Sequence, residues 1–406
     1  MKKNLLVISS YPPKGTVHNE KVVGVATYTK NTILGMEKAS KDIDITVLAE
    51  KLENEKDYKE GKTKVKRVWK RKSVFAYFSI LKEIFFSQKN KKTILLEFEL
   101  AMFGGMISLI SLPVFILFLR FLGKKVIISL HQVITDIEEV SGHINIEKSG
   151  IKTEIFNLLI RLFYISILQT ASKVVVFDKI LKVRLKTLFK TSEKKITIIP
   201  HGVEKFEEKI TRKKARKILG VKENEFVILY FGFIAWYKGT DLLLDIYKPQ
   251  RGKKLIIAGG ANPNHFDKNH YLKYLKSVGK KAKKKNIDIT GFVPEEMIAL
   301  YFLASDKVVF PYRTIISASG PLSMAFSFGK PILISEKLED ILKTQDFVDV
   351  MEEEGIDQSD LIYSGAEELE NKLDEKKNLK KLGSFSRNLA RKRSWDHIGK
   401  LYYNII

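Results

Sequence analysis

Short apolar runs of strand type alternate with segments of helical periodicity along the whole chain. Five of these runs lie in the first half of the sequence and five in the second. They are residues 4–9, 44–49, 93–99, 125–131, 173–178, 226–232, 254–260, 287–293, 307–312 and 331–335. Continuous apolar runs bounded by polar turns are typical of strands that helices cover on both faces. The order predicts an α/β protein with two successive Rossmann-like units, joined near residues 196–206.

The length of the chain also indicates two domains. Its 406 residues exceed what one hydrophobic core usually holds, and no internal repeat or low-complexity linker divides them. We therefore predict an N-terminal domain over residues 1–200 and a C-terminal domain over residues 201–385.

One apolar segment, residues 101–119, carries no charge over its whole length. Nineteen such residues are long enough to span a bilayer. Gly104, Gly105 and Pro113 interrupt the segment, however, and strand-like runs stand on both sides of it. Because a spanning helix would place those two strands on opposite sides of the membrane, the pattern favours a buried or membrane-docked helix.

A second segment, residues 64–86, joins a basic stretch to an aromatic one. The cationic side chains of the basic stretch are Lys64, Lys66, Arg67, Lys70, Arg71 and Lys72. Aromatic and aliphatic residues follow at once, an arrangement that suits the headgroup boundary of an anionic membrane. The alternative is a solvated strand edge followed by a core helix.

The charge and composition of the chain narrow the classes of partner that it could bind. The net charge is +24, and residues 1–200 hold 35 lysines and arginines against 19 aspartates and glutamates. Such a surface attracts phosphates of lipids or nucleic acids, although a lysine-rich thermophile surface would also account for it. No nucleic-acid-binding module is recognisable, so we expect no nucleic acid partner.

The chain has no cysteine, which excludes disulfides, thiolate metal sites and thiol nucleophiles. The short apolar run at the N-terminus reads as a first strand rather than a signal peptide, so we expect a cytoplasmic protein.

Candidate chemistry lies at three strand-to-helix turns. Residues 317–320 (SASG) precede Pro321, so that a helix N-terminus with small residues in front of it would offer backbone N–H groups to a phosphate. Residues 231–240 contain Lys238, and residues 20–31 contain Gly24, each just before a predicted helix. None matches a Walker A or GxGxxG sequence, and each could be only a structural turn. Three in order across two Rossmann-like units favour a nucleotide in the cleft between them.

The order of the motifs SYPP, VGVATY, EFELAMFGG, IISLH, IPHGV, YKGTDLLL, ITGFVPEE, SASGP…FGKP and RSWDHI resembles the family 4 glycosyltransferases. This resemblance implies the GT-B fold, in which two Rossmann-like domains face each other across a cleft. It also implies a last helix, here within residues 386–406, that crosses back onto the N-terminal domain. Members are retaining and need neither cofactor nor metal. They move a sugar from a nucleotide-diphosphate donor, such as UDP- or GDP-hexose, to an acceptor held mainly by the N-terminal domain.

The resemblance also assigns roles to single residues. Gly24 matches a glycine that faces the donor diphosphate, and Lys238 matches the lysine that neutralises it. His131 matches a histidine near the transferred sugar, and Glu99 matches an acidic residue with an acceptor-binding or structural role. The predicted donor loop is formed by Ser317, Ser319 and Gly320, with Arg313 taking part of the phosphate charge.

The sequence departs from the family where many members carry two donor-site glutamates. Those positions are Ile316 and Met324 here, and the arginine that usually accompanies the lysine is Phe233. A degenerate, non-catalytic member or a sugar-nucleotide epimerase therefore remains an alternative. We expect a retaining hexosyltransferase that works peripherally on the inner face of the cell membrane, with a lipid-linked or cell-envelope glycan as acceptor.

Overall fold

The structure is a computed structural model that describes residues 3–16, 24–53, 55–71, 73–100, 102–137, 150–188, 193–206, 210–262 and 268–406. The strands are β1 (Lys3–Ile8), β2 (Ile43–Glu50), β3 (Tyr58–Glu60), β4 (Thr63–Trp69), β5 (Thr93–Phe98), β6 (Lys125–Leu130), β7 (Lys173–Val176), β8 (Ile196–Ile198), β9 (Phe226–Phe231), β10 (Lys253–Ala258), β11 (Lys307–Phe310), β12 (Ile332–Ser335) and β13 (Ile362–Tyr363). The α-helices are α1 (Gly24–Ala39), α2 (Ala76–Ser87), α3 (Met106–Phe121), α4 (Ile151–Thr170), α5 (Lys179–Leu188), α6 (Arg212–Ile218), α7 (Thr240–Ile246), α8 (Asn269–Lys284), α9 (Glu295–Ala304), α10 (Gly320–Ser327), α11 (Glu339–Leu342), α12 (Gln345–Glu354), α13 (Gly365–Asp374), α14 (Leu379–Lys392) and α15 (Trp395–Ile405).

The N-terminal half forms one eight-stranded sheet in the order β3-β4-β2-β1-β5-β6-β7-β8. All neighbouring strands are parallel except the β3–β4 hairpin. The central strands β1, β5 and β6 are buried beyond their first one or two residues, as their continuous apolar runs predict. The ten apolar runs do not include β4, which agrees with the alternative of a strand for the basic stretch; its lysines alternate with buried residues such as Val65.

The C-terminal half forms a second sheet of five parallel strands in the order β10-β9-β11-β12-β13. The predicted strand over residues 287–293 is wrong. Only Ile289 pairs there, in a single bridge to Ile257. Gly291 has a φ of +77° two residues later, so the backbone leaves the extended conformation at that point.

The last helix, α15, crosses back and packs on α1 of the N-terminal half. Gly35 and Gly399 make this close approach possible, since a Cβ on Gly35 would lie 2.1 Å from the Trp395 carbonyl oxygen. The predicted start of the crossing at residue 386 needs correction. Residues 379–392 form one helix, α14, that packs on α10 and α12 of the C-terminal half. The crossing begins at Arg393, whose carbonyl oxygen accepts from Val203 N at 2.7 Å.

The uncharged segment at residues 101–119 contributes most of α3. Among the described residues no helix is both long and apolar enough to cross a membrane. One side of α3 packs in the core through Leu112, Phe115, Ile116 and Leu119. Its other side is exposed.

Candidate functional site

The candidate site lies at the carboxyl edge of the C-terminal sheet, at the point where the strand order reverses. Strands β9 and β11 are neighbours, and the chain leaves them toward opposite edges of the sheet. Ligands of open parallel sheets bind at such a switch point, outside the carboxyl ends of the strands. The segment after β9 carries Lys238, and the segment after β11 carries the predicted donor loop, so the two meet at this point.

Lys238 is held by a short 3₁₀ turn, Trp236–Lys238, that ends at Gly239. Gly239 has a φ of +67°, and a Cβ on it would lie 1.8 Å from the Pro311 carbonyl oxygen, so only glycine fits. The Lys238 side chain is 9% exposed, and its ammonium lies 5.7 Å from the centre of the Tyr312 ring. Desolvation by burial lowers its pKa to about 8. Within the described chain no carboxylate forms an ion pair with it.

A cavity of about 290 Å³ opens beside this ammonium. The residues that line it are Phe206, Phe231, Gly232, Phe233, Lys238, Ala258, Gly259, Gly260, Phe292, Val293, Glu295, Ile298, Pro321 and Met324. Among these lining residues only Lys238 and Glu295 carry a charge. The glycines bring the backbone close, since a Cβ on Gly259 would lie 1.9 Å from the Gly232 carbonyl oxygen. The cavity is therefore flat-walled and apolar, with one cation and one carboxylate.

The predicted donor loop lies beside the cavity, which Pro321 at the end of the loop lines. Ser319 caps α10 by accepting from Leu322 N at 3.3 Å, and Gly320 and Pro321 form the first turn. Ser317 pairs with Gln132 of the N-terminal half in an antiparallel bridge. Val133 N also donates to the Ile316 carbonyl oxygen at 2.8 Å. The loop thus spans the cleft and reaches the segment that follows His131.

Arg313, predicted to take phosphate charge, is engaged elsewhere in this structure. Its two terminal nitrogens donate to the two carboxylate oxygens of Asp241 at 2.8 and 2.7 Å. It also donates to the Trp236 carbonyl oxygen at 2.6 Å and is not among the described residues that line the cavity. These contacts fix the turn before Lys238, and a phosphate-binding role stays a prediction.

His131 follows β6 at the carboxyl edge of the N-terminal sheet and is buried. Its Nε2 lies 2.8 Å from Glu97 Oε2, and its ring meets Tyr28 edge-on at 4.8 Å. Glu97 is fully buried, and its Oε1 has no hydrogen-bond partner among the described residues. Sequence reasoning missed Glu97 because it sits inside the apolar strand β5. A carboxylate within such a run was the signal that could have found it.

The other predicted residues of the N-terminal half take separate places. Glu99 accepts from Gln132 Nε2 at 3.1 Å, next to the bridge to the donor loop. Gly24 is exposed at the start of α1, and space around it is open. Nearby, His201 at the start of the C-terminal half is half-buried beside Tyr28, and desolvation lowers its pKa to about 4, so it is neutral near pH 7.

The predicted membrane-surface residues do not form one basic patch. Lys64 and Lys70 are exposed, and Arg71 is half-buried, whereas Lys72 lies outside the described residues. Lys66 pairs with Glu83 at 2.5 Å. The prediction of Arg67 as a membrane-surface residue needs correction. Its guanidinium is buried and donates at 2.8 Å to the carbonyl oxygens of Tyr11 and Pro12. It does not reach the surface.

The two positions that lack the expected glutamates differ in setting. Ile316 is buried beneath the loop, whereas Met324 lines the cavity. The carboxylate that lines the cavity comes instead from Glu295, in the first turn of α9.

Comparisons with known proteins agree with this architecture. Residues 211–342 match the family described as glycosyl transferases group 1. An uncharacterized glycosyltransferase of Methanocaldococcus jannaschii is 27% identical over 173 residues, which are 40% of this chain and 42% of that protein. The match therefore spans less than half of that relative.

Solved structures match over nearly the whole chain. Sucrose-phosphate synthase from Thermosynechococcus elongatus has a TM-score of 0.69 at 15% identity, with 99% of both chains covered. Anabaena HepE, solved in complex with UDP, has a TM-score of 0.62 at 14% identity, with 99% of both chains covered. The predicted GT-B fold is confirmed, and the glycosyltransferase matches support a transferase.

Proposed function

We propose that this chain is a retaining glycosyltransferase of family 4 type, which moves a hexose from a nucleotide-diphosphate sugar to a glycan or lipid-linked acceptor. The observation that carries the proposal is the buried ammonium of Lys238, which faces the cavity at the switch point without a carboxylate partner among the described residues. A buried cation without a counter-ion favours an anionic ligand, since the ligand removes the cost of burial.

The cavity suits the three parts of a nucleoside diphosphate. Phe206, Phe233 and Phe292 offer apolar walls to a flat base. Lys238 is a point charge for the diphosphate. Glu295 would repel phosphate but can accept hydrogen bonds from both hydroxyls of a ribose. HepE was solved with UDP and with UDP-glucose, which supports a UDP-sugar as the first donor to test.

The chemistry follows from charge development on the leaving group. The bond between the sugar C1 and the diphosphate oxygen breaks, and a bond from C1 to the acceptor oxygen forms on the same face. The acceptor proton passes to the leaving phosphate. Lys238 and the N–H groups of the Ser317–Gly320 loop stabilise the diphosphate as its charge grows, so we propose that no metal is needed. His131, held by Glu97, positions the acceptor.

We place the acceptor at a membrane surface on the inner face of the cell. Support comes from the excess of cations in residues 1–200, since anionic lipids attract such a surface. A lipid-linked or cell-envelope glycan would present its sugar there to the N-terminal half of the cleft.

The testing experiment is a thermal-shift panel of UDP-, GDP- and ADP-sugars and their diphosphates, each with magnesium and with EDTA. A ligand of the folded state raises the melting temperature by mass action. We expect one nucleotide class to stabilise the wild type equally in both buffers. Lys238→Ala should lose that shift, because removing a charged contact costs about 2–5 kcal/mol of binding.

Arg313→Ala is the matched control and also tests the sequence-based prediction. We expect it to lower the melting temperature of the free protein but to keep the nucleotide shift. An equal shift for the wild type and Lys238→Ala would overturn the site. If a nucleotide binds but no sugar is transferred to any membrane extract, the result would instead favour a degenerate, non-catalytic protein. The missing glutamates are the reason for that alternative.

A further inference from the structure

Exposed apolar side chains are concentrated on one part of the N-terminal half. Of the 22 large apolar residues that are exposed in the described chain, 17 lie on α2, α3 and α4 or directly beside them. They are Val74, Phe75, Phe78, Phe85, Phe86, Ile107, Ile110, Val114, Leu117, Phe118, Phe121, Leu122, Ile151, Ile155, Leu158, Leu159 and Leu162. We call these side chains the three-helix face. Single exposed apolar residues are ordinary, but a concentration of this size marks a binding surface.

The three helices are neighbours. Tyr77 of α2 stacks on Phe115 of α3 at 4.8 Å between ring centres, and α3 packs along α4. Those contacts use the inner sides of the helices. The outer residues of α3, from Ile107 to Phe121, recur at helical spacing, and Phe121 is 88% exposed. The same spacing runs from Ile151 to Leu162 on α4. The exposed apolar rows are therefore outer faces of helices whose inner faces already fill the core.

The described charges around the three-helix face are mainly positive. The exposed charged residues of these helices and their ends are Lys82, Lys89, Lys92, Arg120, Lys152 and Arg161, with Glu154 as the exposed carboxylate. Glu83 is neutralised by Lys66. An apolar face with cations along it is complementary to an anionic bilayer, which takes up apolar side chains and attracts the cations.

Two other arrangements, a symmetric dimer and a membrane-spanning helix, fit less well. A symmetric pairing of two copies would bring the same patch against itself and so set these cations against each other. No helix of the described chain is long and apolar enough to cross a bilayer, so the helices would lie in its surface.

We propose that the three-helix face docks the protein on an anionic lipid bilayer. The proposal deepens the proposed function, on which it rests for the acceptor, by naming the surface that contacts the membrane. It also replaces β4 as the main contact, since Arg67 is buried and Lys66 is paired.

The same helix that faces the lipid also holds the acceptor side of the cleft. The Tyr164 hydroxyl of α4 accepts from Ile134 N at 3.2 Å and donates to the Gln132 carbonyl oxygen at 3.1 Å. Asn157 Oδ1 accepts from Ile137 N at 2.7 Å. These bonds fix the segment that follows His131. Docking through α4 would therefore set the distance between the bilayer and the reacting centre.

The test is flotation of the full chain with vesicles of phosphatidylcholine alone or mixed with phosphatidylglycerol. We expect the wild type to float with the mixed vesicles. Leu117→Gln/Phe118→Gln on α3 and Leu158→Gln/Leu162→Gln on α4 should each lower the partition coefficient at least about tenfold, because each change removes two apolar side chains from the lipid. The matched control is Ile218→Gln/Leu272→Gln, which makes the same change at exposed sites of the C-terminal half and should float like the wild type.

A second pair of variants separates the two basic surfaces. Lys82→Gln/Lys89→Gln should weaken flotation with the anionic vesicles more than Lys64→Gln/Lys70→Gln. The reverse order would return the contact to β4 and overturn the proposal. So would unchanged flotation of both apolar variants.

Further outcomes separate this proposal from the proposed function. If the wild type ignores vesicles and light scattering gives a dimer that the apolar variants dissociate, the three-helix face is a protein interface and the proposal is overturned. Every variant should keep its nucleotide thermal shift. Vesicle binding without any nucleotide shift would sink the proposed donor site and leave the docking surface standing.

Discussion

The carboxyl edges of the two sheets differ in whether their buried charged groups have a partner within the protein. In the N-terminal half, His131 Nε2 and Glu97 Oε2 are 2.8 Å apart and pair inside the protein. In the C-terminal half, Lys238 is equally buried but has no carboxylate partner among the described residues. A group whose partner is internal is fixed in position, whereas a buried charge that lacks one is stabilised by a ligand.

The C-terminal edge contains its own internal contrast. Arg313 and Lys238 flank the same turn, yet Arg313 is closed off by two hydrogen bonds to Asp241. Sequence motif alone does not separate these two cations. The presence of a partner does, and it favours Lys238 over Arg313 as the residue for the proposed anion binding.

The largest expected effect tests the internal pair. Glu97→Gln should lower kcat by on the order of tenfold to a hundredfold, because an amide no longer fixes which nitrogen of His131 carries the proton and the ring loses its orientation. Donor affinity should not change, since Glu97 does not line the cavity. Steady-state kinetics with the donor and acceptor varied separately would measure this split between kcat and KM.

The matched control is Glu99→Gln, two residues along the same segment, which affects the bond to Gln132 but leaves His131 paired. We expect it to raise KM for the acceptor and to change kcat less. Equal losses of kcat in both variants would remove the distinction between the two glutamates. A normal kcat for Glu97→Gln would reduce the pair to a packing feature.

A smaller effect is expected for Lys238, whose titration should make the affinity for UDP depend on pH. With a pKa of about 8, Lys238 is mostly charged near pH 7 and mostly neutral near pH 9. Only the charged form attracts a diphosphate, so the affinity for free UDP should fall about tenfold between those pH values. Titration calorimetry across this range would measure the fall.

Lys238→Arg is the control for this titration, because a guanidinium stays charged throughout the range. Its affinity for UDP should depend little on pH. A wild-type affinity that stays flat up to pH 9 would mean that the ammonium does not touch the phosphates.

Sequence pattern predicted the strands better than the contacts between them. The buried runs of β1, β5, β6 and β9 were found within a residue or two, because burial on both faces leaves an unbroken apolar signal. The strand β4 entered only as the alternative for the basic stretch, because its lysines hide the alternation. Pairings such as Glu97 with His131 or Arg313 with Asp241 join distant positions, so only the fold reveals them.

The three-helix face shows a further limit of pattern reading. The segment of α3 is apolar on both sides, so its sequence cannot tell which residues face the core and which face outward. Lys238, by contrast, lies at the predicted strand-to-helix turn, where Gly239 has a positive φ and packs closely on the Pro311 carbonyl oxygen. Local backbone demands appear in the sequence, whereas the direction a helix face takes is set by tertiary packing.

The smallest expected effect concerns the carboxylate of the cavity. Glu295→Gln should weaken UDP binding by about fivefold, because a neutral amide replaces a charged acceptor for the ribose hydroxyls. Glu296→Gln is the matched control, since Glu296 lies in the same turn of α9 but does not line the cavity. For 2′,3′-dideoxy-UDP, which lacks both hydroxyls, all three proteins should bind alike. If Glu295→Gln weakens both nucleotides equally, the carboxylate acts on the shape or field of the cavity and not on the ribose. If it weakens neither, the only charge in the cavity that binds the donor is Lys238.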